Sequence, residues 1–141
     1  GFPGETASDF DETISLTSIV RFSSMFSFKY SPRPNTLALK RMADDVTEEE
    51  KTRRIVELQA LQRNIQTELN AQLIGKDVEV LIDSVSRRDQ SELSGRTSQN
   101  VVVNLPGPAA WIGHLKKVRV VRAGAHSVRG SVSLTPGSPE P

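Results

Sequence analysis

Residues 77–85, DVEVLIDSV, place Val78, Val80 and Ile82 at every second position. That is the period of a strand with one buried face. The stretch decides the fold because the period before it is different. Residues 47–74, from TEEEKTRRIVELQ to AQLI, carry Ile55, Leu58, Leu61 or Gln62, Ile65, Leu69 and Leu73 as an apolar seam at helical spacing. Thr47 and Glu50 have the spacing of a capping box, and Gly75 stands where a helix C-cap is expected. A helix is therefore predicted to hand over to sheet at Gly75.

Downstream, the stretches 91–99 (SELSGRTSQ), 100–106 (NVVVNLP), 115–123 (LKKVRVVRA) and 128–134 (VRGSVSL) are further short, mostly Val-rich strands with polar or Gly/Pro-containing links. Strands this short at this regular spacing predict a small antiparallel five-stranded OB-like β-barrel over 75–135. The final TPGSPEP is Pro/Gly/Ser-rich, so 136–141 is expected to be a disordered tail.

Upstream, GFPGETASDFDETISLTSIVRF reads as a turn and then a helix capped by Thr6 or Ser8. Asp9, Asp11 and Glu12 lie where the helix dipole favours them, and Phe10, Ile14, Thr17 and Val20 form the expected buried stripe. SMFSFKYSP (24–32) alternates, with Phe26, Phe28 and Tyr30 on one side, and is predicted as a strand stopped by Pro32 and Pro34. Residues 35–46 are a connection. Helix followed by strand is the rhythm of a βα repeat, which needs parallel neighbours that these residues do not supply. The chain is therefore expected to be the C-terminal fragment of a larger protein, with 1–46 the end of an α/β barrel. The fold class is α+β.

Composition narrows the function. The chain has no cysteine and two separated histidines, His114 and His126, which rules out disulfides, thiol nucleophiles and cysteine-held metal within these residues. Seven aromatic residues in 141 argue against one large core. No apolar run approaches the ~20 residues needed to cross a bilayer, so a soluble, cytoplasmic protein is expected. The net charge of +1 hides an asymmetry: residues 75–135 carry nine Lys/Arg against five Asp/Glu, whereas 1–74 carry nine against eleven. The basic half is the one that would meet a polyanion.

Three motifs follow. GFPGET places Gly1 and Gly4 in a turn before a helix N-terminus, where backbone can approach a ligand. YSPRPNT offers the Tyr30 hydroxyl, a stiff Pro32 and the Arg33 fork for an anionic group. LSGRTSQN joins Arg96, Thr97 and Asn100, a set of donors suited to phosphate and base. With Arg87, Arg88, Lys116, Lys117, Arg119 and Arg122 these could form an RNA-binding face, although alternation divides them between two faces. Trp111 is the one aromatic candidate for base stacking in this half.

In this order the motifs GFPGET, YSPRP, LQALQ and GRTSQN resemble the C-terminal half of the radical-SAM methylthiotransferases, over Gly1 to about Leu134. Within that family they are most similar to the bacterial tRNA enzymes that modify isopentenyl-adenosine beside the anticodon. The resemblance implies that 1–46 ends a partial (β/α) radical-SAM barrel, that the helix over 47–74 closes it, and that 75–135 is a TRAM domain. It implies a methylthio transfer that uses two 4Fe-4S clusters and S-adenosylmethionine in the full-length enzyme, with sulfur and electron donors. The cluster cysteines would lie upstream, so the fragment alone is expected to be inactive.

By resemblance Gly1, Gly4 and Glu5 line or support the S-adenosylmethionine site, Tyr30, Pro32 and Arg33 form a substrate loop, and Arg96, Thr97 and Asn100 contact the tRNA anticodon stem-loop. At Asn35 the family usually has Gly, and an Asn in the left-handed conformation would preserve the turn. Two alternatives remain: a relative that modifies a ribosomal protein, and a stand-alone RNA-binding module.

Overall fold

The computed structural model describes residues 1–87 and 89–132. Arg88, the tail over 136–141 and the last residues of the fifth expected strand lie outside the described residues. The chain divides into two compact units, Gly1–Gln66 and the remainder from Thr67, each described by itself.

In the first unit, α1 (Ala7–Val20) starts at Thr6. Its hydroxyl accepts from the Asp9 N–H, and the Asp9 carboxylate accepts from the Thr6 N–H at 2.8 Å, a complete capping box. Phe10 and Thr17 are buried and Ile14 is half-buried, but Val20 is exposed, so the expected stripe stops one turn early. A short helix α2 (Leu37–Arg41), capped by Thr36, occupies part of the predicted connection.

The predicted strand over 24–32 does not form: the segment is irregular, with Phe26 and Phe28 90% and 84% exposed. The alternation is present, but a strand needs neighbours to satisfy its backbone, and none lies beside it here.

Helix α3 (Glu48–Ala71) begins at Thr47, whose hydroxyl accepts from the Glu50 N–H at 3.2 Å. The other half of the expected capping box is redirected, because Arg53 and Arg54 hold the Glu50 carboxylate. The seam is also more polar than expected. Ile65 is buried while Ile55, Leu58, Leu61 and Leu69 are half-buried, and Lys51, Arg54, Gln62 and Asn70 are buried between them. Each of these four side chains engages a partner, although Gln62 Oε1 is buried without one among the described residues. Lys51 reaches Asp44 at 2.6 Å, Gln62 donates to the Phe22 carbonyl at 2.7 Å, and Asn70 donates to the Gly124 carbonyl at 2.7 Å.

The second unit is a closed barrel in the order β1-β2-β3-β5-β4. Its strands are β1 (Asp77–Val85), β2 (Glu92–Arg96), β3 (Val102–Pro106), β4 (Leu115–Ala123) and β5 (Val128–Val132). Four pairings are antiparallel, and the β3–β5 pairing that completes the barrel is parallel. Val80, Ile82, Leu93, Val103, Leu105, Val118, Val120 and Val128 fill the interior. β2 ends at Arg96, shorter than predicted, and a 3-10 turn (Ala109–Trp111) precedes β4. Gly75 has φ +79° and donates to the Val120 carbonyl at 2.8 Å.

Two glycines let the strands close. A Cβ on Gly95 would overlap the Leu81 carbonyl oxygen and lie 2.7 Å from Val80 Cγ1. One on Gly130 would overlap Val118 Cγ1 and lie 2.5 Å from the Arg119 oxygen. A barrel this narrow has no room for side chains at those crossings.

Candidate nucleic-acid interface

The outer face of the barrel is built by strand register. Leu93, Val103 and Leu105 point inward, so Ser94 and Asn104 point outward. Ser84 pairs with Ser94, Ser94 with Asn104, and Asn104 with Arg129 across β1, β2, β3 and β5. The β-bulge between Ile82 and Ser84 bends β1 and opens this row into a groove of about 450 Å³. Arg87, Arg96, Asn104 and His126 line it together with serine hydroxyls from Ser84, Ser94 and Ser127. A second hollow of about 280 Å³, lined by Arg122 and Arg129, shares Asn104 and Ser127 with the first.

The LSGRTSQN motif forms the turn at one edge. Asn100 has φ +64° and donates its N–H to the Thr97 carbonyl at 2.9 Å. The Thr97 hydroxyl is buried and accepts from the Val101 N–H at 3.2 Å. Arg96 donates to the Asn100 side-chain oxygen at 2.8 Å and lies 4.0 Å from Asp83. Thr97 therefore holds the turn, Asn100 steers the arginine, and Arg96 presents its exposed guanidinium to the groove.

Lys116, Lys117 and Arg119 do not line either hollow. Lys117 and Arg119 flank Asp77, which forms an ion pair with each. The Asp77 hydrogen bond favours the charged guanidinium of Arg119 and raises its pKa. Lys116 lies over the Trp111 ring, 4.8 Å from its centroid. Trp111 itself packs on the barrel core and against Gly107, where a Cβ would come within 2.5 Å of the ring. The one expected stacking aromatic is thus largely occupied by its own fold.

Sequence reading did not find Ser84, Ser94, Asn104, Ser127 or Arg129, and it noted His126 only as one of two separated histidines. The outward positions of neighbouring strands carried that signal, but they converge only once the register is known.

The first unit holds the remaining candidates. Gly4 has φ +81° and donates its N–H to Asp45 at 2.7 Å. Glu5 accepts from buried Arg54 at 2.8 Å and from the amine of Gly1. Burial opposes ionisation of Glu5, but these hydrogen bonds prevail and hold its carboxyl below the usual value. Tyr30 meets Phe2 edge-on with ring centroids 5.2 Å apart, and Lys51 Nζ lies 5.4 Å from the Tyr30 centroid. Pro32 and Arg33 are exposed. The loop they begin is closed by Thr36, which donates its hydroxyl to the Arg33 carbonyl at 2.9 Å, and Asn35 adopts the left-handed φ of +66° that the turn requires.

The residues present do not fit an iron–sulfur cluster. The sequence has no cysteine, and among the described residues no group of three or more His, Cys, Asp or Glu could hold a metal ion. Among the same residues no helix is long and apolar enough to cross a membrane.

Residues 71–133 match the TRAM domain model. The chain is 46% identical over 97% of its length to the tRNA-2-methylthio-N(6)-dimethylallyladenosine synthase of Halorhodospira halophila, covering 29% of that protein. It is 41% identical over 97% of its length to the same-named protein of Burkholderia mallei, and 42% over 95% to that of Paraburkholderia xenovorans, covering 31% and 30% of them. The chain thus spans less than a third of these relatives, matching their C-terminal regions. Residues 71–133 are therefore similar to TRAM domains, which are RNA-binding modules.

Proposed function

We propose that this chain is the RNA-docking C-terminal part of a tRNA methylthiotransferase that acts on isopentenyl-adenosine in the cytoplasm. The observation that carries the reading is the groove of Arg87, Arg96, Asn104 and His126 on the outer face of the TRAM barrel. Arg87 is exposed at its rim, and Arg96 is braced toward it by Asn100. A phosphate backbone recruits such guanidiniums with release of counterions, and serine hydroxyls and an amide add the acceptors that arginine lacks.

Under this reading the tRNA anticodon stem-loop is the partner. Two 4Fe-4S clusters and S-adenosylmethionine supply the radical chemistry in the longer protein, together with sulfur and electron donors. No step of that chemistry is assigned to residues 1–141. Gly1, Gly4 and Glu5 act as supports near the S-adenosylmethionine site, because Asp45 and Arg54 already engage the Gly4 N–H and the Glu5 carboxylate. Tyr30, Pro32 and Arg33 form the substrate loop, with Arg33 exposed for an anionic group. Lys116 and Lys117 add charge outside the groove, and Arg88 is a further cationic candidate for RNA contact by sequence.

The test is the affinity of the chain for an anticodon stem-loop against an unrelated hairpin. Preference for the anticodon stem-loop supports the reading. Equal binding of both points to a general RNA-binding module, and no binding of either removes the RNA reading.

A further inference from the structure

We infer that Asn104 reads an unpaired base, with adenine preferred, in a single-stranded RNA segment laid along the joined hollows of the barrel's outer face. The inference rests on the RNA-docking reading and adds a residue that determines sequence preference.

Asn104 is the residue, together with Ser127, that the two hollows share. It stands in the middle of a row that runs from Ser84 through Ser94 to Arg129. Its inward neighbours Val103 and Leu105 are fully buried, which fixes the backbone and aims the amide outward. Asn104 is half-buried, and among the described residues no hydrogen bond engages its amide. This differs from Asn70, whose amide ties down the Gly124 carbonyl, and from Asn100, whose oxygen holds Arg96. The Asn104 amide therefore has one acceptor and two donors unmet among the described residues.

The charges around Asn104 suit a strand that passes over it. Arg87 and Arg96 lie in the hollow on one side, and Arg122 and Arg129 in that on the other. Glu92 neutralises Arg129 through an ion pair, while Arg122 is exposed. Cationic groups on both sides of a neutral amide match a phosphate, base, phosphate sequence. The donor–acceptor pair of an Asn amide complements the N6 and N7 edge of adenine, and in single-stranded RNA that edge is free. With Trp111 packed on the barrel and under Lys116, the preference is expected to come from hydrogen bonding and not from stacking.

The experiment compares the full chain with Asn104→Ala and Arg122→Ala, measuring affinity for two stem-loops that differ only by adenine or uracil at successive loop positions, across a salt series. The unaltered chain is expected to favour adenine at one position by about fivefold or more, and Asn104→Ala to erase that preference without changing the salt slope. Arg122→Ala is expected to weaken both stem-loops equally and to lower the slope by about one. An adenine preference that survives Asn104→Ala, or no preference in the unaltered chain that still binds, overturns the assignment of Asn104 and leaves RNA docking intact. No binding by the unaltered chain overturns both. Because Asn104 faces outward, circular dichroism of the variant should match that of the parent chain.

Discussion

Arg96 and Asn100 form a brace across the turn between β2 and β3: the guanidinium donates to the amide oxygen at 2.8 Å while Asn100 holds φ at +64°. The backbone conformation and the side-chain contact depend on the same residue. Asn is one of the few residues that tolerates the left-handed region, and its short amide can reach back to the arginine.

Asn100→Ala therefore removes two things. The left-handed strain should cost about 1 kcal/mol in thermal or denaturant unfolding, and RNA affinity should fall because Arg96 loses its brace. Asn100→Gly separates the two effects: stability should stay near that of the parent, while affinity still falls. Equal affinity for the parent and the Gly variant would show that the brace does not position Arg96.

Barrel closure depends on Gly95 and Gly130. Adding a methyl at Gly130 drives it into Val118 Cγ1 and the Arg119 carbonyl, which are core and ladder atoms and not flexible chain ends. Gly130→Ala should destabilise the barrel by about 1–3 kcal/mol or more in denaturant unfolding followed by Trp111 fluorescence. Gly4→Ala meets no atom within 4 Å and should act only through its φ of +81°.

The barrel was legible in the sequence because each strand alternates on its own, and the change of period at Gly75 marks its start. The predicted strand over 24–32 alternates equally well and failed, since pairing depends on partners and not on the segment. The helix seam misled differently. Leu61 and Leu69 occupy the expected spacing but are half-buried, whereas Lys51, Arg54, Gln62 and Asn70 are buried along with Ile65, each of the four engaging a partner outside the helix. In the interface, Arg96 and Asn100 were found as a contiguous motif. Asn104 and Ser84 were missed because their proximity arises only from strand pairing and the bulge in β1.

Glu50 gives a pH prediction. Hydrogen bonds from Arg53 and then Arg54 lower its carboxyl from 4.5 to about 2. A depressed carboxylate stabilises the fold above its unfolded value, and that contribution disappears as the pH falls toward the folded value. The start of α3 should therefore loosen between about pH 4.5 and 2, read as faster amide hydrogen exchange over residues 48–54. Glu50→Gln should show little of this pH dependence in the same window. A Gln variant with the parent's profile would assign the transition to other carboxylates.

Arg53 and Arg54 are adjacent, share Glu50, and should behave differently. Arg54 is 6% exposed and also holds Glu5, whereas the Arg53 side chain is 53% exposed. Exposed ion pairs contribute little, but removing one partner of a buried pair leaves a poorly solvated charge. Arg54→Ala should lower the melting temperature of the first unit clearly more than Arg53→Ala. Equal shifts would mean that burial of Arg54 is not what makes it important.

The most direct test of RNA docking on the outer barrel face is the salt slope of anticodon stem-loop binding, measured for the chain and for an Arg87→Ala, Arg96→Ala double variant. The account predicts strongly salt-dependent binding by the parent and a slope smaller by about two in the variant, one for each lost phosphate contact. A parent and variant with the same affinity and the same slope would contradict it.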